Sequence, residues 1–482
     1  MTKISKNFQS ATDDPNALLN FLGDPAWVRH CRPVAAADGS GKHHSQGLPA
    51  GVTYLSQLMA HDMFLTEPCR NTFVPNTSPR ADQSRVNLVQ HPLMLETVYG
   101  RTGAADSVLY DQENPDKFDL LKYEYFSEPI TIHKLLQDPR RRWTYPVLAD
   151  ARNFSSPMLA QITLNFMIFH NRLVDEFKSK GYDKKQLFSL ARGTAIRTWH
   201  NIIKNDILKT TCREADDTIF PSWMGELGVW TDKEFLSRDV LRCFHGLVRD
   251  GYIFNEKALT NVVKHEGIDE ILSASNIGPS VAVSLISGSF EDIQKVNVSL
   301  WLDKWEVGWE FFFDTESKDD AASRFRNRTG FTPSFAFSRK SRDKDQKIQV
   351  RDAKKSKTSM SDRLVGCSIL EPFLEELETD LNNNGGCFAL KSGQSLPVAV
   401  ALLAESFYDF KRNPKDVGKL GRLGSAIVRR QIEPVIDQAQ AQVGAILNRA
   451  EITTVPTTDV LPNSFTQMIG LTDFNFIKKG AH

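Results

Sequence analysis

Two histidines, far apart in the chain, lie in apolar stretches that are compatible with helices. His61 lies in Gln57–Asp62 (Gln-Leu-Met-Ala-His-Asp), and His245 lies in Leu241–Arg249 (Leu-Arg-Cys-Phe-His-Gly-Leu-Val-Arg). Each histidine has a polar partner about one helical turn before it. An imidazole in such surroundings can bind a metal as a neutral ligand, or it can carry a proton as an acid–base group.

The spacing around His61 predicts that Gln57, His61 and Asp62 have different roles on one helix. Residues four apart share a helix face, so Gln57 and His61 are expected side by side, with Asp62 about 100° round the axis. In that arrangement His61 can move a proton between two oxygens of a peroxide, and Gln57 can position the peroxide or a water. Asp62 then anchors the helix from behind. The alternative is that His61 is a core histidine with satisfied hydrogen bonds.

The Gln-x-x-x-His-Asp pattern resembles the distal-helix motif of the animal haem peroxidase superfamily, the myeloperoxidase and peroxinectin type. The chain is most similar to the short bacterial members of that family. Other stretches that resemble family motifs are Leu93–Arg101, Ala149–Asn153, Leu164–Asp175, Lys391–Gln394, Gly421–Val428 and Ser464–Met468. The resemblance implies a single, mainly α-helical peroxidase domain with haem between a distal and a proximal helix.

The same resemblance assigns a catalytic role to Arg152. Cleavage of a peroxide needs a base and a fixed positive charge, and arginine supplies that charge without titrating. Without the motif, an ordinary salt-bridge arginine would be the favoured interpretation. His170 lies in the most recognisable motif, but the matching histidine of the family is structural, so His170 is not assigned to iron.

The proximal iron ligand is expected to be His245. Leu241–Asn255 resembles, without gaps, the family segment Tyr-Arg-Phe-Gly-His-Ser-Met-Val-Arg-Pro-Ser-Tyr-Arg-Leu-Asn. Arg242 falls where the family keeps an arginine three residues before the ligand. A haem-ligating histidine needs a neutral ring, with its other nitrogen hydrogen-bonded to an acceptor.

The usual acceptor in the family is an asparagine, and Asn382 is the nearest candidate in an eroded motif. Two other histidines compete with the expected iron ligand. These competitors are His200 and His265.

Several positions depart from the family pattern. Members with covalently bound haem carry carboxylates where this chain has Ala60 and Ser155, so the haem is expected to be the non-covalent b type. The family's calcium site uses the aspartate that Asp62 matches, together with a loop aspartate. That loop position is Met94 here, with Glu96 two residues later. Calcium prefers several hard oxygen ligands, so the sequence leans toward the absence of this ion.

These features together predict a haem-dependent peroxidase. It would reduce hydrogen peroxide and oxidise a small organic substrate through a ferryl haem intermediate. Two alternatives stay open. One is a haem enzyme that performs a dedicated biosynthetic oxidation, and the other is a haem-free, silent member that acts as a binding protein.

The bulk composition sets limits on partners and location. The 59 basic and 59 acidic residues cancel, so the net charge gives no indication of nucleic acid or a membrane surface as partner. No stretch reads as a secretory signal or a bilayer span, which favours a cytoplasmic location. The 6 scattered cysteines favour free buried thiols over disulfides or a zinc site.

Helical periodicity dominates the elements that must position these residues. The predicted helices span residues 50–65, 157–180, 187–209, 232–249, 360–382, 395–410 and 422–447, and the predicted loops span 66–82 and 100–118. We expect an N-terminal arm of residues 1–26, one domain of 27–475 and a tail of 476–482. Residues 339–363 are strongly basic and predict a surface segment, with docking of an acidic partner as the alternative.

Overall fold

The structure is a computed structural model. It describes residues 47–68, 85–100, 109–120, 148–154, 157–214, 240–247, 307–314, 326–331, 402, 406, 418–450, 452 and 461–472. Among these residues 66% are helical and strands are few, which confirms the mainly α class. The finer prediction, a peroxidase-like domain, stays a prediction.

The described residues form seven α-helices, one π-helix, three 3-10 helices and two pairs of short strands. The α-helices are α1 (Gly51–Met63), α2 (Glu96–Tyr99), α3 (Pro157–Ser179), α4 (Lys184–Ile202), α5 (Lys209–Thr211), α6 (Arg422–Arg449) and α7 (Phe465–Thr472). A π-helix, Ile203–Leu208, joins α4 to α5, and 3-10 helices span Ala151–Phe154, Leu241–Leu247 and Trp309–Phe311. Two antiparallel pairs complete the list, Leu48–Pro49 (β1) with Arg328–Thr329 (β4), and Thr66–Pro68 (β2) with Arg85–Asn87 (β3).

Four of the predicted helices are confirmed, those of residues 50–65, 157–180, 187–209 and 422–447. The third of these changes to π geometry at Ile203, which periodicity alone does not reveal. Of the helix predicted over 232–249, only 240–247 are described, and most of this stretch is a 3-10 helix. The helices predicted over 360–382 and 395–410 lie almost entirely outside the described residues.

The prediction of an unbroken loop over residues 66–82 is wrong at its start, because β2 pairs with β3 there. Asn87 supplies the physical reason. Its side-chain oxygen accepts a hydrogen bond from the Leu65 N–H at 2.9 Å, and its amide donates to the Met63 carbonyl at 3.0 Å. Asn87, 22 residues after Leu65, thus helps to align β3 with β2, whose residues fall within the stretch predicted as a loop.

The chain divides into two compact units. One takes in Met1–Ser56, Lys204–Glu433 and Lys478–His482, and the other takes in Gln57–Ile203 and Pro434–Ile477. The predicted domain limits, 1–26, 27–475 and 476–482, stay predictions. The basic stretch of residues 339–363 lies outside the described residues.

The second unit is built on α3. Its buried face packs against α4, where Phe166 meets Trp199 edge to face with 5.6 Å between ring centroids, and α7 also lies against it. Asp183 begins α4 by accepting a hydrogen bond from the Lys185 N–H. Gly193 lets α4 approach α6 closely, since a Cβ there would lie 3.0 Å from Leu447 Cδ2.

The first unit holds the start of α1 in place. A Cβ on Gly51 would overlap the ring of Phe313, so only glycine fits where this helix begins. Thr53 and Thr329 both donate hydroxyl hydrogen bonds to the Leu247 carbonyl. These contacts fix the helix that carries the first candidate residues.

Two further predictions concern thiols and membranes. Cys212 and Cys243 are buried and free, as expected for these two cysteines. In the part of the chain that the structure describes, no helix has the length and apolar character to cross a membrane.

Candidate active site

Helix α1 is buried over most of its surface, and one strip of it is partly exposed. Gln57, Ala60 and His61 are the partly exposed residues of this fully described helix, and the other ten are buried. Positions separated by three and four residues lie on one face of a helix, so these three side chains form a continuous strip. The predicted pairing of Gln57 with His61 on one face is therefore confirmed.

His61 is held by a residue that sequence reasoning did not single out. Its Nδ1 lies 3.0 Å from Asn153 Oδ1, and Asn153 is fully buried. The Asn153 amide nitrogen in turn donates to the Thr97 carbonyl at 3.3 Å. This chain of contacts connects the imidazole to the backbone of α2.

Arg152 lies beside this pair, but its guanidinium is already occupied. Its Nη2 donates to Asp150 Oδ2 at 2.6 Å and to the His61 carbonyl at 2.9 Å. Its Nε donates to Asp150, and its Nη1 donates to the Phe64 carbonyl at 2.5 Å. Within the described residues these contacts engage four of the five N–H groups of an arginine. Arg152 therefore caps the last turn of α1, where carbonyl groups lack helical partners.

The ion pair changes the charge that Arg152 can offer. Burial alone would raise the pKa of Asp150, but the hydrogen bonds and charge of Arg152, and the charge of His61, lower it below its usual value. Asp150 is thus an anion at neutral pH, and it offsets the guanidinium charge. The predicted electrostatic role of Arg152 stays a prediction, and the structure adds a capping role.

Asp62 anchors α1 from behind. It is fully buried, and its carboxylate accepts hydrogen bonds from the Leu95 N–H at 2.8 Å, the Trp199 indole N–H at 3.2 Å and, at 3.5 Å, the Thr97 N–H. Burial raises the pKa of Asp62 to about 7, although these three donors act in the opposite direction. The orientation expected from the helix geometry is confirmed.

The loop that receives Asp62 is strained. Leu93 and Leu95 are both buried, and they have φ angles of 60° and 55°, in the left-handed region that non-glycine residues seldom occupy. Such a conformation costs roughly 1–2 kcal/mol per residue, so surrounding contacts must hold it. The Asp62 carboxylate and carbonyl hold this loop through the N–H groups of Leu95 and Leu93.

The carboxylates near the family's calcium positions, Asp62 and Glu96, have hydrogen-bond partners in this structure. Glu96 accepts hydrogen bonds from the N–H groups of Gln90 and His91 at 3.1 and 2.8 Å. Asp62 accepts N–H groups as well. Among the described residues, no group of three or more His, Cys, Asp and Glu side chains could hold a metal ion. The expected absence of calcium stays a prediction, and the contacts of Asp62 give that residue a structural function.

Two other histidines serve packing. His170 is fully buried; its Nε2 donates to the Asp116 carbonyl at 2.8 Å, and its Nδ1 lies 3.0 Å from the Tyr99 hydroxyl. His200 is also fully buried, with its Nε2 2.8 Å from the Leu93 carbonyl. These hydrogen bonds join both buried imidazoles to backbone carbonyl groups. That neither residue binds iron stays a prediction.

The proximal segment is described only in part. Leu241–Leu247 forms a 3-10 helix whose residues Leu241, Cys243, Phe244 and Leu247 are buried. The side chains of Arg242 and His245 lie outside what the structure describes, and so does Asn382. The predicted proximal contacts therefore stay predictions.

Sequence reasoning missed Asp150 and Asn153, although both flank Arg152 in the chain. The available signal was their chemistry, because short polar side chains on either side of a candidate arginine can hold it or its neighbours.

No known family model and no curated protein matches the chain.

Proposed function

We propose that this protein is a haem peroxidase that reduces hydrogen peroxide and oxidises a small organic substrate. The observation that carries the proposal is the partly exposed strip of Gln57, Ala60 and His61 on an otherwise buried helix. An imidazole that is anchored on one nitrogen and lies at an accessible surface suits proton transfer to a small molecule. The motifs that resemble the animal haem peroxidase superfamily indicate haem as the cofactor.

The chemistry of these residues fits a haem. The strip carries no carboxylate, and Ala60, next to His61, is small and apolar, which suits contact with a flat, largely apolar ring. We propose His245 as the iron ligand, with Arg242 near it and Asn382 as acceptor for the ring nitrogen of His245. With Ala60 in place of a carboxylate, an ester to the haem cannot form there, so haem b would be held non-covalently. Bound haem would supply the redox-active iron and the two electrons that cleavage of the peroxide O–O bond consumes.

The chain's own residues would then perform the proton transfer. His61 accepts the proton from one oxygen of the peroxide and returns it to the other, which leaves as water when the O–O bond breaks. Gln57, one turn earlier on the same face, orients the peroxide through its amide. Arg152 holds the last turn of α1, and its guanidinium contributes positive charge beside His61.

The test is a comparison of peroxide kinetics in the haem-loaded full chain. His61→Ala should slow the reaction with peroxide by about 10²–10⁴-fold, the usual contribution of a positioned acid–base group, and it should leave haem content unchanged. The exposed histidine His91 provides the control, since His91→Ala should react at the wild-type rate. An undiminished rate in His61→Ala, or loss of its haem, would contradict the assigned role.

One observation favours a second candidate function. The carboxylate of Asp150 pairs with Arg152 at 2.6 Å and offsets the charge that peroxide cleavage needs. A silent member of the family that binds a ligand without turnover would tolerate this arrangement. Wild-type protein that binds haem but reacts with peroxide no faster than free haem would favour this second function.

A further inference from the structure

We propose that Asn153 is a positioning residue that holds His61 in the tautomer with its proton on Nδ1, which leaves Nε2 as the atom that accepts a proton. The inference rests on the proposed function for the reaction that Nε2 serves. The hydrogen bonds that support it lie within one compact unit and involve His61, Asn153 and Thr97.

The backbone fixes the direction of the Asn153 amide. Its Nδ2 donates to the Thr97 carbonyl oxygen at 3.3 Å, and a carbonyl oxygen can only accept. The reversed amide would place two acceptor oxygens against each other inside the protein. The side-chain oxygen, Oδ1, must therefore face His61.

The direction of the amide determines the tautomer of the ring. Asn153 Oδ1 only accepts hydrogen bonds, so His61 Nδ1, 3.0 Å away, must be the donor. A neutral imidazole carries one N–H, so in this tautomer the ring lone pair lies on Nε2. Asn153 is fully buried, so the Asn153 side of this contact is shielded from water, whereas His61 is partly exposed.

The residue that orients the Asn153 amide, Thr97, is itself hydrogen-bonded to α1. Thr97 belongs to α2, and its N–H donates to Asp62, which is one residue after His61 on α1. The Asp62–Thr97 hydrogen bond therefore links the helix that carries His61 to the residue whose carbonyl orients Asn153, independently of Asn153 itself. Rotation of Asn153 would break the contacts to both His61 and Thr97.

A neutral amide suits this position better than a carboxylate. Asp150 and Arg152 are charged groups near His61 in the described part of the chain, and they are paired with each other. A carboxylate at position 153 would add an unpaired negative charge at Nδ1 and would favour the doubly protonated ring. That ring has no lone pair and cannot act as a base.

The first experiment reads the tautomer in the full-length chain without any haem. Histidine-selective ¹⁵N labelling, with His61 assigned by comparison with His61→Gln, should show a protonated Nδ1 and an unprotonated Nε2 in the wild type. Asn153→Ala should shift the ring toward a mixture of tautomers, and Asn153→Asp should keep the Nδ1 proton but raise the pH at which the ring becomes doubly protonated. Asn201→Ala is the matched control, since this amide donates to the Pro462 carbonyl and its loss should leave the His61 signals unchanged.

A proton on Nε2 of wild-type His61, or an unchanged tautomer in a folded Asn153→Ala variant, would overturn the inference. If Asn153→Ala does not fold, Asn153→Asp decides the question, because a pH of double protonation equal to that of the wild type would also overturn it. A thermal unfolding curve establishes whether each variant is folded.

The second experiment measures peroxide kinetics against pH in the haem-loaded chain. Asn153→Asp should move the rise in rate to higher pH, whereas Asn153→Ala should lower the rate with less displacement along the pH axis. Absence of haem binding or peroxide reaction in the wild type would overturn the proposed function, and the NMR result would still decide the tautomer. Identical pH profiles in Asn153→Asp and the wild type would overturn the role of Asn153.

Discussion

At the scale of single residues, the contacts of Arg152 specify what its replacement should do. Lysine keeps the charge, but its single ammonium lacks the planar fork whose separate nitrogens reach Asp150 and the carbonyl groups of His61 and Phe64. We expect Arg152→Lys to lower the free energy of unfolding by about 1–2 kcal/mol, a modest value because the side chain is 30% exposed. Urea unfolding would measure this loss. A variant as stable as the wild type would show that the capping contacts contribute little.

The residues of the site differ in how far the sequence predicts them. The spacing of Gln57, His61 and Asp62 fixes their faces on a helix, because residues four apart share a face in any helix. The contact between His61 and Asn153 joins positions 92 residues apart, and the local sequence carries no direct signal for it. Arg152 and Asp150 are two residues apart, so their pairing could have been expected from the sequence. Only the structure shows that this pairing and the bonds to α1 occupy the guanidinium that a catalytic role would need.

At the scale of elements, α1 depends on the buried carboxylate of Asp62. Asp62→Ala would leave the N–H groups of Leu95 and Trp199 without their acceptor, and it should cost about 2–4 kcal/mol of unfolding free energy. Asp62→Asn is the control of equal size, since its side-chain oxygen can still accept both bonds. Thermal or urea unfolding compares the two variants. Equal loss in both would mean that charge, and not hydrogen bonding, maintains the anchor.

Asp62 also makes stability depend on pH in one direction. Its folded pKa of about 7 lies above the ordinary 3.8, so between these values the folded state binds more protons than the unfolded chain. Its contribution is complete below pH 3.8 and is lost as pH rises through 7. From pH 4 to pH 8 the wild type should therefore lose more unfolding free energy than Asp62→Asn does. A difference that stays constant with pH would contradict the raised pKa.

His170 should give the opposite slope. Burial lowers its pKa from 6.5 to about 4, so its contribution is present above pH 6.5 and is lost as pH falls through 4. His170→Phe should be less stable than the wild type near pH 7, because the hydroxyl of Tyr99 loses its acceptor. It should lose less stability on acidification to pH 4. The exposed variant His91→Asn is the control and should follow the wild-type profile.

The elements themselves were predictable to different degrees. The long helices α3 and α6 follow from apolar residues at helical spacing sustained over more than five turns. The pairing of β2 with β3 depends on one asparagine, Asn87, and its bonds to a distant backbone. The π-helix after Ile202 has the same apolar spacing as the helix before it, so periodicity cannot distinguish the two.

At the scale of the whole molecule, the proposal predicts how the cofactor is held. With Ala60 and Ser155 in place of both ester-forming carboxylates, acid acetone should extract all the haem from loaded protein as unmodified protoporphyrin. Chromatography with detection at the haem absorbance would measure the fraction left on the polypeptide. Haem that stayed with the chain would reveal a covalent link that these residues cannot make.

The central claim is that this chain binds haem through His245, and an absorbance titration of the full chain with haem tests it most directly. The wild type should develop a Soret band that saturates at one haem per chain, and His91→Ala should match it. His245→Ala should bind haem weakly or not at all while it unfolds at the wild-type temperature. A wild-type chain without saturable binding, or a folded His245→Ala variant with the full Soret band, would contradict the claim.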